Sequence, residues 1–357
     1  MSKVHNFSAG PGILPAEVLK QASEACINFD NLNLSLLEIS HRSKNFEKVI
    51  DDSRSLVKEL FEVGDEYEVL YLGGGASLQF AMVPYNLLTE KGYAAYVNTG
   101  VWATKAIKEA KIIGNTKVIA SSEDKNFNYI PKGYEIPTDA DYLHITSNNT
   151  IFGTQMKEFP KTSIPLVCDM SSDIFSRKVN AKDFDLIYAG AQKNMGPAGS
   201  TMVMVKKSAL GKTGRKMLSM LDYNVHIKGG SMYNTPPVFP IYVTMLTLQW
   251  LKKNGGIAWI EQLNNHKSEL LYNEIDRNSL FVGTTAKEDR SQMNVCFLLN
   301  KPELEPEFDK LWKEANISGI RGHRDVGGYR ASLYNALPLE SVQALVDVMT
   351  AFEKKMA

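Results

Sequence analysis

The stretch AKDFDLIYAGAQKNMGPAGS, residues 181–200, decides how the rest of the chain is read. Leu186-Ile187-Tyr188-Ala189 is a short apolar run that stops at Gly190 and delivers Gln192, Lys193 and Asn194 into a turn. Met195 to Ser200 is small and turn-prone, and Thr201 to Val205 resumes an apolar strand. A lysine at the end of a buried strand, flanked by glycines, can act as an imine-forming nucleophile, because desolvation or a nearby cation lowers its pKa. Most lysines are solvated surface groups, so the reading depends on what the other strands place beside Lys193.

Composition narrows the class. The chain has 357 residues, 44% of them hydrophobic, enough for a large core and more than one domain. Lys+Arg and Asp+Glu both number 40, so no global charge points to nucleic acid or an acidic membrane surface. The 3 cysteines, Cys26, Cys168 and Cys296, show no metal or redox spacing and fit a reducing compartment. MSKVHNFSAGPG at the start lacks the apolar core of a signal peptide, and no run approaches a membrane span. A cytoplasmic protein is expected.

Residues 1–15 read as an irregular arm, broken by Gly10-Pro11-Gly12 and Pro15. Helices are expected from about Ala16 to Ile27 and from Lys44 to Phe61, the second from the helical spacing of Phe46, Val49, Ile50, Leu56, Val57 and Leu60. From Tyr67 onward short apolar strands alternate with helices: strands at 68–72, 93–98, 117–120, 142–146, 166–168 and 186–189, with helices from Ser77 to Leu88 and from Trp102 to Lys111 between the first three. That alternation predicts an α/β fold with a mostly parallel sheet covered on both faces. A helix over 243–253 ends near Asn254-Gly255-Gly256, giving a large domain over 16–255. The remainder, 256–357, reads as a smaller α+β domain, with helices at 257–277, 304–316 and 339–355 and strands near 280–283, 292–299 and 328–334.

Open parallel sheets bind ligands beyond the carboxyl ends of their strands. There this sequence places Gly73-Gly74-Gly75 with Ala76 and Ser77 opening a helix, an arrangement of free N–H groups suited to phosphate. The spacing fits neither a Walker loop nor the dinucleotide fingerprint. Trp102 follows the next strand, Ser147-Asn148-Asn149-Thr150 another, Asp169 ends a third and Lys193 follows a fourth. A carboxylate ending an apolar strand is costly unless paired, and a protonated pyridine nitrogen would pair with it. Together these supply a phosphate cup, a stacking ring, an oxygen partner, a pyridinium partner and an imine lysine, the parts that pyridoxal 5′-phosphate requires.

The chain resembles the phosphoserine aminotransferase family, class-V pyridoxal-phosphate enzymes of fold type I, nearly end to end. The matching stretches are NFSAGPGILP, ISHRSK, GGGASLQFAMVPYN, NTGVW, NNTIFGTQ, CDMSSDIFSR, AGAQKN, YNTPPVF and GHRDVGGYRASLYNA. The resemblance implies that Lys193 carries the cofactor as a Schiff base and that Asp169 pairs with its ring nitrogen. Trp102 would stack on the ring, Thr150 would bond its oxygen, and Ala76, Ser77 and Gln192 would hold the phosphate. Asn234 and Thr235 would complete that phosphate site from a partner subunit, which makes a homodimer part of the expectation. Arg330 would take the substrate α-carboxylate, and His41, Arg42, His323 and Arg324 the distal phosphate or carboxylate, work suited to arginine's planar fork. The implied reaction exchanges an amino group between L-glutamate and 3-phosphohydroxypyruvate. Some relatives also aminate a 4-phosphohydroxythreonine precursor, which stays open here.

Three positions depart from the family pattern: Ala76-Ser77 where some members carry glycine-arginine, Asn149 where many have glutamate, and Ala9 where some have serine. A cysteine desulfurase on the same fold would need an exposed, mobile thiol, whereas Cys168 and Cys296 fall in expected strands and Cys26 in a helix. A transaminase for small substrates such as alanine and glyoxylate would not need the His323-Arg324 pair. A non-catalytic binding protein is disfavoured by the lysine–aspartate pair, and no nucleic-acid module accompanies it.

Overall fold

The computed structural model describes residues 4–324 and 326–356; the first three residues of the arm, Asp325 in the His323-Arg324 run, and Ala357 lie outside the described residues. The arm contains β1 (His5–Asn6) and leads into α1 (Ala16–Ile27) and α2 (Lys44–Leu60). Ser43 caps α2 by accepting the Phe46 N–H at 3.3 Å, and Phe46, Val49, Ile50, Leu56 and Val57 form its buried face. The alternating region follows as β2 (Tyr67–Leu72), α3 (Gly75–Leu87), β3 (Tyr93–Asn98), α4 (Val101–Ile113) and β4 (Asn115–Ser121). It continues with β5 (Tyr142–Thr146), β6 (Leu166–Asp169), β7 (Leu186–Gly190) and β8 (Thr201–Lys206).

These strands form one sheet of 7 in the order β2-β8-β7-β6-β5-β3-β4, with β8 antiparallel to both its neighbours and every other pairing parallel. Ala191–Ser200 is too short to hold a crossover helix, so β8 returns beside β7 as a hairpin, closed by the Ala191 N–H on Ser200 O at 3.1 Å. β2, β3, β5, β6 and β7 therefore all end at one edge. One face of the sheet packs with α3 and α4 through Tyr96, Tyr142, Tyr188 and Val203, the other with α1 and α2 through Val69, Leu143, Cys168 and Met204.

α5 (Tyr223–Lys228) and α6 (Val238–Lys253) complete this part. α6 starts earlier than its apolar pattern indicated, because Pro237 and Pro240 stand before and within a first turn whose N–H groups have no helical partner to lose. Beyond Gly255 come α7 (Gly256–Arg277), β9 (Phe281–Gly283), β10 (Asn294–Leu299), α8 (Glu305–Glu314), β11 (Ile317–Ser318), β12 (Tyr329–Ser332) and α9 (Leu339–Met356). β12-β10-β9 is an antiparallel sheet with its own core of Leu271, Phe297, Phe308, Leu345 and Phe352. The arm is not wholly irregular: β1 pairs in parallel with β11, His5 opposite Ile317, and Phe7 enters the same core. Among the described residues no helix is long and apolar enough to cross a membrane.

Candidate active site

At the common strand edge lies a cavity of about 120 Å³ whose walls include Ala76, Ser77, Trp102, Thr150, Asp169, Gln192 and Lys193. Larger clefts, about 560 Å³ around Tyr134 and Phe159 and about 490 Å³ around Phe61 and Arg177, lie elsewhere. The small one is the place where groups from the ends of five parallel strands, β2, β3, β5, β6 and β7, converge.

Lys193 enters it from the β7–β8 turn. Its Nζ donates to Thr150 Oγ1 at 2.9 Å and stands 5.7 Å from the Trp102 ring centroid. Burial pulls its pKa down to about 8; Arg330 adds to that, while Asp169 and Asp173 pull the other way. The neutral amine is therefore easier to reach near physiological pH than that of an ordinary, solvated lysine. Asp169 ends β6, buried, with Oδ1 accepting the Ser171 N–H at 2.9 Å. Desolvation raises its pKa against the opposing effects of Ser171 and Lys193. A buried carboxylate in that state gains most from a cationic partner.

The α3 N-terminus forms the remaining wall. Gly74 and Gly75 adopt φ of +83° and +68°, the left-handed region that favours glycine, and the first turn they open lines the cavity through Gly75, Ala76 and Ser77. That turn carries no acidic residue to occupy them. Thr150 sits in a loop that Asn149 closes on itself, its N–H bonding Thr154 O at 2.8 Å and its Nδ2 bonding Thr154 Oγ1 at 2.7 Å. Arg330, on β12, donates Nη1 to Thr150 O at 3.2 Å. Trp102 Nε1, Thr146 Oγ1 and Arg330 Nε, three of the 13 such atoms, are buried with no partner among the described residues, and in or beside a cavity such atoms are open to a ligand or water. These residues fit pyridoxal phosphate.

Not every expected residue is gathered here. His323 shares a narrow crevice beside the cavity with Cys296 and Arg330, and Arg324 is exposed. His41 and exposed Arg42 lie in the turn before α2, outside the cavity walls. Asn234 and Thr235 are exposed, and Asn234 lines a separate cavity of about 230 Å³ reached from Gly73 and Gly74. Conversely, Thr146, Ser171 and Ser172 line the cavity without having been singled out. Ser171 was visible in principle, since a residue two beyond an aspartate commonly donates its N–H to that side chain.

A buried lysine beside a buried carboxylate, with a tryptophan ring and an open helix N-terminus at the strand ends of an α/β sheet, is a constellation that fits a pyridoxal-phosphate enzyme of the transaminase type. The aminotransferase class-V family model matches residues 4–345. The chain is 64% identical over 355 residues to the phosphoserine aminotransferase of Flavobacterium johnsoniae, covering 99% of this chain and 100% of that one. The phosphoserine aminotransferase of Bacillus circulans subsp. alkalophilus superposes with a TM-score of 0.97 at 44% identity, covering 99% of each chain. The pyridoxal-phosphate-bound phosphoserine aminotransferase of Trichomonas vaginalis does so at 0.92 and 33% identity, covering 98% of this chain and 100% of that one. The chain belongs to the class-V aminotransferase family, among its phosphoserine aminotransferases, and is a pyridoxal-phosphate-dependent transaminase.

Proposed function

We propose that the protein catalyses the reversible exchange of an amino group between L-glutamate and 3-phosphohydroxypyruvate, giving 2-oxoglutarate and O-phospho-L-serine for serine biosynthesis. The observation that carries this is the convergence of Lys193, Thr150 and Asp169 on one cavity with Arg330 directly behind Thr150. Bound pyridoxal phosphate supplies the carbonyl that receives the amino group and a ring that draws electrons from the substrate Cα–H bond.

In this reading Lys193 Nζ takes and returns the Cα proton, work that needs a pKa near neutrality. Asp169 would pair with the protonated ring nitrogen, Trp102 would stack against the ring and keep water from it, and Thr150 Oγ1 would bond its oxygen. Ala76, Ser77 and Gln192 would hold the phosphate at the α3 N-terminus. Arg330 grips the α-carboxylate, and His323, Arg324, His41 and Arg42 receive the distal phosphate or γ-carboxylate, both anions that a cluster of cationic donors can bind.

The exposed positions of Arg42, Asn234 and Thr235, and the half-buried one of His41, all outside the cavity walls, are consistent with their serving a second copy of the chain. Exposed Leu34, Leu37, Leu218, Met220 and Tyr233 on the same segments give a homodimer contact an apolar component. Division into an arm over 1–15, a cofactor domain over 16–255 and a small domain over 256–357 is supported by the separate core around Phe308. Three unpaired cysteines support a cytoplasmic setting. The test is turnover of O-phosphoserine with 2-oxoglutarate by the wild type and by Lys193→Ala. The variant is expected to be inactive, and clear turnover by it would overturn the assignment.

A further inference from the structure

Asn194, the residue after Lys193, is buried and bonded in two directions. Its Oδ1 accepts the Asn335 N–H at 3.0 Å, and its Nδ2 donates to the carbonyls of Ile174 at 3.2 Å and Ser172 at 3.4 Å. Ser172 and Ile174 belong to the turn that leaves Asp169, and Asn335 to the loop that leaves β12 and Arg330. One amide thus joins the three backbone segments that carry the reacting lysine, its opposed carboxylate and the arginine behind Thr150.

Both far ends are fixed in turn. Asn335 Nδ2 donates to Phe175 O at 2.9 Å, and its Oδ1 accepts from Asn264 Nδ2, also at 2.9 Å. Asn264 makes a further bond to Ser176 O. Fully buried Lys267 donates to Leu333 O and Tyr334 O at 2.9 Å and to Leu337 O at 3.2 Å, carbonyls on either side of Asn335. Burial draws the Lys267 ammonium down to about 7, yet three carbonyls match the three N–H bonds that only its protonated form has. Asn264 Oδ1 is the one side-chain atom of this network left without a partner among the described residues; a buried polar network otherwise matched favours one arrangement of the elements it joins.

We propose that Asn194 is a positioning residue, which sets where the Lys193 amine stands relative to Asp169 and Arg330; the inference rests on Lys193 being the reacting amine. The charged groups that act on that amine are Asp169 at the end of β6, Asp173 from the turn that leaves it, and Arg330 from β12. A Lys193 turn freed from Asn194 admits water to the amine and undoes desolvation, the strongest influence on it.

The test uses two readouts. On the full-length cofactor-free protein, reductive methylation by formaldehyde and cyanoborohydride is followed against pH on the Lys193 peptide by mass spectrometry. On the reconstituted enzyme, kcat and KM for phosphoserine are measured. Wild type is expected to titrate near 8. Asn194→Ala is expected to titrate higher by about half a unit or more, with kcat down about 10- to 100-fold and KM nearly unchanged. Asn264→Ala cuts the same network one step further out and is expected to lower thermal stability while leaving the Lys193 midpoint in place. Should Asn194→Ala not fold, Asn194→Ser, whose hydroxyl is too short to span both directions, is expected to show the same rise. A wild-type midpoint in Asn194→Ala, or an equal rise in Asn264→Ala, overturns the proposal. A wild-type midpoint near 10.4 overturns the reading of Lys193 itself and this inference with it.

Discussion

Replacing Asp169 with asparagine separates function from stability. The side chain is 5% exposed and Oδ1 accepts one backbone N–H, from Ser171 at 2.9 Å, a bond that the asparagine carbonyl can keep. What the change removes is a charge-assisted bond to the ring nitrogen, worth about 1.5–3 kcal/mol, or roughly 10- to 150-fold in rate. Full desolvation puts the expected loss in kcat/KM for phosphoserine near the top of that range. Stability should move the other way. Burial raises the carboxyl pKa above its ordinary value, net of Ser171 and Lys193. A folded-state carboxyl with a raised pKa weakens the fold as pH climbs past the unfolded-state value of about 3.9. At neutral pH, therefore, the cofactor-free variant should melt no lower than wild type, and its relative advantage should shrink toward pH 4. The assay is steady-state kinetics beside calorimetry of the cofactor-free proteins at several pH values. A variant with kcat/KM within about threefold of wild type, or one that melts several degrees lower at neutral pH, refutes the reasoning.

Arg330→Gln should raise KM for phosphoserine and glutamate about 10- to 100-fold with a smaller change in kcat, since a charged donor to the carboxylate is lost; steady-state kinetics with both substrates checks it. Gly12→Ala should cost about 1–3 kcal/mol in urea unfolding, because a Cβ there would stand 2.7 Å from Tyr334 Cδ2 and 3.2 Å from Lys193 O. The same variant presses on the Gly12 N–H bond to Gln192 O, so kcat should fall too. Lys267→Met should lower the melting temperature at pH 7, taking the ammonium donor from the Leu333 and Leu337 carbonyls at about 1–3 kcal/mol each, partly offset by the relieved desolvation, while Tyr334 O keeps the Leu337 N–H at 2.8 Å.

The large sheet was legible because its strands are buried on both faces and read as apolar runs with glycine-rich exits. The expected ends of the strands at 93–98 and 142–146 agree with β3 and β5. β4 was read too short because it is an edge strand whose solvent-facing residues blur the pattern. The β1–β11 pairing was not visible, since each strand is two residues long and its partner lies some 300 residues away. The same holds within the site. Lys193, Asp169, Trp102 and the α3 start follow from strand order alone, because a parallel sheet delivers successive strand ends to one edge. Asn194 was read as part of a turn; its bond to Asn335 spans the two sheets, and no local pattern encodes it. His41, Arg42, Asn234 and Thr235 carry their expectation from family resemblance, and one chain's packing leaves them outside the cavity.

The most direct test of the central claim is the visible absorbance spectrum of the purified protein with pyridoxal phosphate, before and after O-phospho-L-serine. A bound-cofactor band that shifts with phosphoserine, and far less readily with L-alanine, is the expected result. A band indifferent to phosphoserine, or no band after added cofactor, would contradict it.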